Sequence, residues 1–104
     1  MTTPKPDLSG AIAYTLAAIR HEALGDVIAE RERIDAKWGP QLDNTAGVWL
    51  GVLAEEVDEF ATECIFIGRG IDTAQRTAAL RAELVQVAAV ALGWIEAIDA
   101  GGAS

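Results

Sequence analysis

Leu84-Val85-Gln86-Val87-Ala88-Ala89-Val90-Ala91-Leu92-Gly93-Trp94-Ile95 carries no charge and a single polar side chain, Gln86. Its valines favour a strand by propensity. The alanines around them and the length of the pattern favour a helix. Asp72, followed three residues later by Gln75, resembles a capping box and sets the start of this helix, which runs to about Asp99 before Gly101-Gly102. A helix that is apolar on nearly every side must be covered nearly all round, and one small chain does not readily do that.

Its neighbour is the segment just before it. Asp43-Asn44-Thr45 offers N-caps, Trp49, Leu53, Val57, Phe60 and Cys64 recur at helical spacing, and Gly68-Arg69-Gly70 ends the run. Two helices of roughly 23 and 27 residues, each about 35 to 40 Å long and joined by a short glycine turn, form an antiparallel hairpin. The expected fold is therefore all-α: this hairpin assembling into a four-helix bundle across an oligomer, with additional N-terminal helices.

Upstream, residues 1–6 with Pro4 and Pro6 read as a loosely held tail. Asp7 or Ser9 caps a helix with Ile12, Leu16 and Ile19 on one stripe. Gly25-Asp26 either breaks that helix, with Asp26 capping a new one, or lies inside one bent helix running to Lys37. Trp38-Gly39-Pro40 is a stop. With no internal repeat or linker, residues 1–104 form one domain.

Composition narrows the function classes. The chain is 51% apolar, yet its formal charge is −8 and no run of Lys and Arg interrupts the acidity. The electrostatic footprint of a nucleic-acid polymer or anionic-lipid binder is missing. Cys64 is the single cysteine, which removes a disulfide framework and a thiolate metal site, and it reads as a buried small apolar residue. His21, between Arg20 and Glu22, reads as an exposed helix residue. The nearly uncharged runs Leu8–Ile19 and Leu84–Ile95 fall short of the roughly 18 residues of a membrane span. Pro4, Pro6, Asp7 and Arg20-His21-Glu22 do not fit a signal-peptide core, and a cytoplasmic location is expected.

The chemistry lies in Glu55-Glu56-Val57-Asp58-Glu59, followed after 23 residues by Glu83-Leu84-Val85-Gln86. Glu56 and Glu59, at i and i+3, share a helix face, and Glu63 extends the stripe. Stacked like charges are tolerated on a solvated surface, or in a cleft where a divalent cation neutralises them. Magnesium prefers hard oxygen ligands and keeps several waters, so three carboxylates from two antiparallel helices are enough to seat it. Arg33 and Lys37, one turn apart, can meet phosphates or simply pair with nearby acids. Trp38 either stacks on a base or caps the bundle core, and Trp49 and Trp94 read as core or subunit-interface residues.

The pattern Glu55-Glu56-x-x-Glu59 then Glu83-x-x-Gln86 closely resembles the Glu-Glu-x-x-Glu, Glu-x-x-Asp signature of the MazG-like all-α nucleoside triphosphate pyrophosphohydrolases. Glu30-Arg31-Glu32-Arg33-Ile34-Asp35-Ala36-Lys37-Trp38-Gly39-Pro40-Gln41 is similar to the lead-in segment of small phage and bacterial members, and Glu83 to Ile98 to their closing helix. The resemblance covers about residues 26–99. It implies that Glu56, Glu59 and Glu83 are metal ligands, with Gln86 where the fourth ligand, an Asp, usually stands. Asp58 stands where a glycine is common. The implied reaction is Mg²⁺-dependent hydrolysis between the α and β phosphates of a nucleoside triphosphate, with Mn²⁺ a possible substitute for Mg²⁺. Glu55 is then the candidate for orienting the attacking water, and Arg33, Lys37 and Trp38 for meeting the substrate. A homodimer or homotetramer is the expected assembly. Gln86 in place of an acid keeps open a second reading, an oligomer of the same fold that binds nucleotide or metal without turnover. A third is a helical assembly protein whose glutamates pair with Arg69, Arg76 or Arg81.

Overall fold

The computed structural model of the chain describes residues 9–102, and these form three α-helices: α1 (Ser9–Trp38), α2 (Ala46–Gly68) and α3 (Thr73–Asp99). The expected tail and the cap at Asp7 lie outside the described residues. The all-α class is as expected, and α2 and α3 have the lengths read from sequence. The additional N-terminal helices are a single one. Gly25 stays within α1, since one interior glycine costs a helix only about 1 kcal/mol. Asp26 does not cap a new helix but pairs with Arg81 of α3 at 2.7 Å.

The helix ends follow from local chemistry. Gly39 closes α1 at φ 77, its N–H donating to the Asp35 carbonyl at 2.8 Å. Thr45 caps α2, its hydroxyl accepting from the Val48 N–H at 3.3 Å. The capping box expected at Asp72 does not form. Asp72 adopts a left-handed conformation, φ 43, that gives its carboxylate no cap hydrogen bond, and only its carbonyl accepts, from the Arg76 N–H. Gly70, at φ 70, makes the tight reversal between α2 and α3.

Helix α3 packs against both α1 and α2, which do not pack on each other. The pairs Asp26–Arg81 and Arg31–Glu96 show that α1 and α3 run in the same direction. Its inner face is Ala89, Val90, Gly93 and Ala97, one stripe at helical spacing. Trp49 of α2 closes on this stripe, with Leu53 and Trp94 partly buried beside it. Arg31 is also buried there, 6% exposed, and its guanidinium occupies the space a side chain at Gly93 would fill. Asp35 at 2.7 Å and Glu96 at 3.4 Å neutralise it.

Burial stops at that thin core. Among the described residues no large side chain is fully buried, and Val57, Ile65, Leu84, Ile95 and Ile98 are exposed on the α2–α3 hairpin. All of residues 9–22 is exposed, including Ile12, Leu16 and Ile19. The radius of gyration is 18.4 Å, against about 13 Å for a compact chain of this length. Three sequence expectations change accordingly. Cys64 is exposed, because α2 turns its Trp49–Leu53 face to α3 and leaves this flank uncovered. Trp38 is 63% exposed and does not cap the core, because Trp49 and Val90 already fill it. Finally, α3 contains an 18-residue stretch long and apolar enough, by length and composition alone, to cross a bilayer. The uncharged run Leu84–Ile95 by itself is too short for that. Core helices of soluble proteins share that length and composition.

Candidate metal centre and its cleft

Helical spacing on α2 and the antiparallel pairing with α3 bring Glu56, Glu59 and Glu83 together, with one oxygen of each within 4.8 Å of the others. One carboxylate oxygen of Glu56 and one of Glu83 are buried without a hydrogen-bond partner among the described residues. A buried anionic oxygen with no donor is costly. The nearby guanidinium groups do not relieve it. Arg76 lies 3.3 Å from Glu63 and over the Phe66 ring, and Arg81 is taken by Asp26. The acidic stripe therefore divides: Glu63 is paired, and the other three acids face one another. Among the described residues, pairing with Arg69, Arg76 or Arg81, the arrangement an assembly protein would use, does not occur at these three.

The electrostatics follow. Burial first, then the charges of Glu59, Glu55 and Glu30, raise the Glu56 carboxyl above its ordinary 4.5. Glu83 is raised by burial, then by its hydrogen bond with Glu59 and by the charges of Glu59, Glu56 and Glu63. The donor set suits a hard divalent cation. Magnesium–oxygen bonds of about 2.1 Å place ligand oxygens roughly 3 to 4 Å apart, against an upper bound of 4.8 Å for the three carboxylates as they stand.

Beside the three acids opens a cleft of about 440 Å³, its walls α1 and α2 and its floor α3. Glu55, Glu56, Gln86, Arg33 and Trp38 all line it. Glu55 thus faces the cleft but is not one of the converging carboxylates. Arg33 is already engaged, its Nε 3.0 Å from both oxygens of Glu30. Lys37 is not a lining residue, and its ammonium sits 5.0 Å from the Trp38 ring centre. Gln86 does line the cleft, and its Nε2 donates to Glu30 at 2.8 Å.

Glu30 is the residue that sequence reasoning missed. It sits in a mixed run, Glu30-Arg31-Glu32-Arg33, where i,i+3 pairing with Arg33 is the default, and nothing in the spacing ties α1 to Gln86. The Arg33 hydrogen bond outweighs burial and, with that of Gln86, holds the Glu30 carboxyl below 4.5. Gln41, Asn44 and Trp49 also line the cleft, and the buried Trp49 indole N–H has no partner among the described residues. No family model, curated protein or solved structure matches the chain.

The shifted carboxyls fix the pH response of the metal-free chain. Above pH 4.5 the folded state holds more protons on Glu56 and Glu83 than the unfolded state, so their contribution to stability falls as pH climbs through the raised values. Glu30 acts oppositely, giving stability above 4.5 that is lost as pH falls through its lowered value. Urea unfolding with chelator should therefore show a higher midpoint at about pH 5 than at about pH 7.5. A midpoint that rises steadily over that interval would contradict the assignment.

Proposed function

We propose that the chain is a Mg²⁺-dependent nucleoside triphosphate pyrophosphohydrolase, cleaving between the α and β phosphates to give a nucleoside monophosphate and pyrophosphate. The observation that carries the reading is the convergence of Glu56, Glu59 and Glu83, two of them with orphaned buried oxygens, at the edge of a cleft lined by Arg33 and Trp38. The motif resemblance to the MazG-like enzymes supports the same reaction. Mg²⁺, or Mn²⁺ in its place, would be held by the three carboxylates with Gln86 beside them, and would supply positive charge to the phosphate oxygens.

The chain's own groups have defined tasks in this reading. Glu55 lines the cleft next to Glu56 and accepts a proton from the attacking water, whose oxygen bonds to the α phosphorus as the bond to the bridging oxygen breaks. Arg33 meets phosphate oxygens at the cleft wall, and Lys37 adds positive charge at the same end of α1. The exposed Trp38 ring offers a stacking surface for the base. The net charge of −8 disfavours polyanions and leaves a metal-bound free nucleotide in the cytoplasm as the fitting substrate, with neither a nucleic-acid polymer nor a membrane as partner.

A second reading has its own observation. Gln86 replaces the usual acid, and both it and Arg33 are occupied by Glu30, which suits a module that binds nucleotide without turnover. Incubation with a panel of nucleoside triphosphates and Mg²⁺, in the absence of pyrophosphatase, separates the two. Pyrophosphate release by the parent, lost in a folded Glu56→Gln or Glu59→Gln variant, is the expected result. Orthophosphate as the first product would overturn the α–β mechanism, and saturable nucleotide binding without turnover would select the binding module.

The working unit in this reading is a homodimer or homotetramer, in which hairpins pair into a four-helix bundle and cover Leu84, Ile95 and Ile98. Light scattering at micromolar concentration should give at least twice the 11.0 kDa chain mass. A monomer at that concentration would refute it.

A further inference from the structure

We propose that Glu30 is a positioning residue of the metal centre, acting through Gln86: it takes up the NH₂ of the Gln86 amide and leaves the amide oxygen to the Glu56–Glu59–Glu83 cluster. The inference rests on the reading that this cluster holds a divalent cation. Three features of the geometry carry it. Glu30 reaches Gln86 from a different helix, α1, at 2.8 Å, with its side chain only 14% exposed. Arg33 anchors it from the other side with Nε 3.0 Å from both carboxylate oxygens. An ionised carboxylate only accepts hydrogen bonds, so the amide must present its NH₂ to Glu30, and its oxygen points away from that bond.

Gln86 stands one helical turn beyond Glu83, on the same face. A neutral amide is a weaker ligand than the carboxylate expected there, but donation to an anion polarises it and raises the basicity of its oxygen. This is the logic by which outer carboxylates orient and strengthen histidine ligands. The negative charge missing from α3 is thereby supplied from α1, one hydrogen bond removed from the cation.

Mn²⁺ binding, with no nucleotide present and free Mn²⁺ followed by electron paramagnetic resonance, tests the relay. Glu30→Gln removes the anion and the orientation it imposes, and should weaken Mn²⁺ binding about tenfold or more. The exchange variant E30Q/Q86E keeps the hydrogen bond and the total charge, with the carboxylate now at position 86, and should bind Mn²⁺ as tightly as the parent or tighter. Should E30Q alone fail to fold, the exchange variant carries the test. Parental affinity in folded E30Q, or a loss in E30Q that the exchange does not restore, overturns the inference while the metal centre stands. A parent that binds no Mn²⁺, with Glu56→Gln equally silent, overturns the metal reading together with it.

Discussion

Three carboxylates on two antiparallel helices, none of them in an ion pair with an Arg or Lys among the described residues, are the constraint around which this structure is arranged. Helical spacing puts Glu56 and Glu59 on one face of α2, and the Gly70 turn returns the chain so that Glu83 meets them. The available guanidinium groups are directed elsewhere, Arg76 to Glu63 and Arg81 to Asp26. Burial and mutual repulsion raise Glu56 and Glu83, so the fold holds these anions against an electrostatic cost. A divalent ion of the kind proposed would offset that cost at neutral pH, and the proposal thereby ties the packing to the chemistry.

Helix α1 turns this pair of helices into a cleft. Its docking depends on Arg31, whose guanidinium fits over Gly93 between Asp35 and Glu96. A side chain at position 93 would occupy the same space, since a Cβ there would lie 2.6 Å from the Arg31 guanidinium carbon. With α1 held in that register, Glu30 falls opposite Gln86, and Arg33 and Trp38 fall on the cleft wall. One small residue in the apolar run of α3 therefore sets the distance between the acidic cluster and the groups proposed to meet a nucleotide.

Much of this was legible in the sequence because it depends on local periodicity. The extents of α2 and α3 and the Gly39 stop follow from residue chemistry within a turn or two, and Thr45 is one of the three caps that Asp43-Asn44-Thr45 offered, whereas the capping box read at Asp72 does not form. The convergence of Glu56, Glu59 and Glu83 needed only the spacing and one antiparallel turn. What was not legible depends on packing between helices. Gly25-Asp26 looks like a break because the partner of Asp26, Arg81, is 55 residues away. Glu30 is hidden in a run of alternating charges, and its link to Gln86 exists only once Arg31 has seated α1. Cys64 looked buried, and capping the core was one of two readings for Trp38, because their types are often interior, but three helices extended over 66 Å have little interior to offer.

The same shape leaves Leu84, Ile95 and Ile98 uncovered on α3, the face that the proposed oligomer would cover. The central claim, however, concerns the cation. Anomalous diffraction from crystals grown with Mn²⁺ tests it most directly. The account predicts an anomalous peak within coordination distance of Glu56, Glu59 and Glu83. Density confined to other acidic groups, with these three carboxylates ordered and no ion between them, would contradict it.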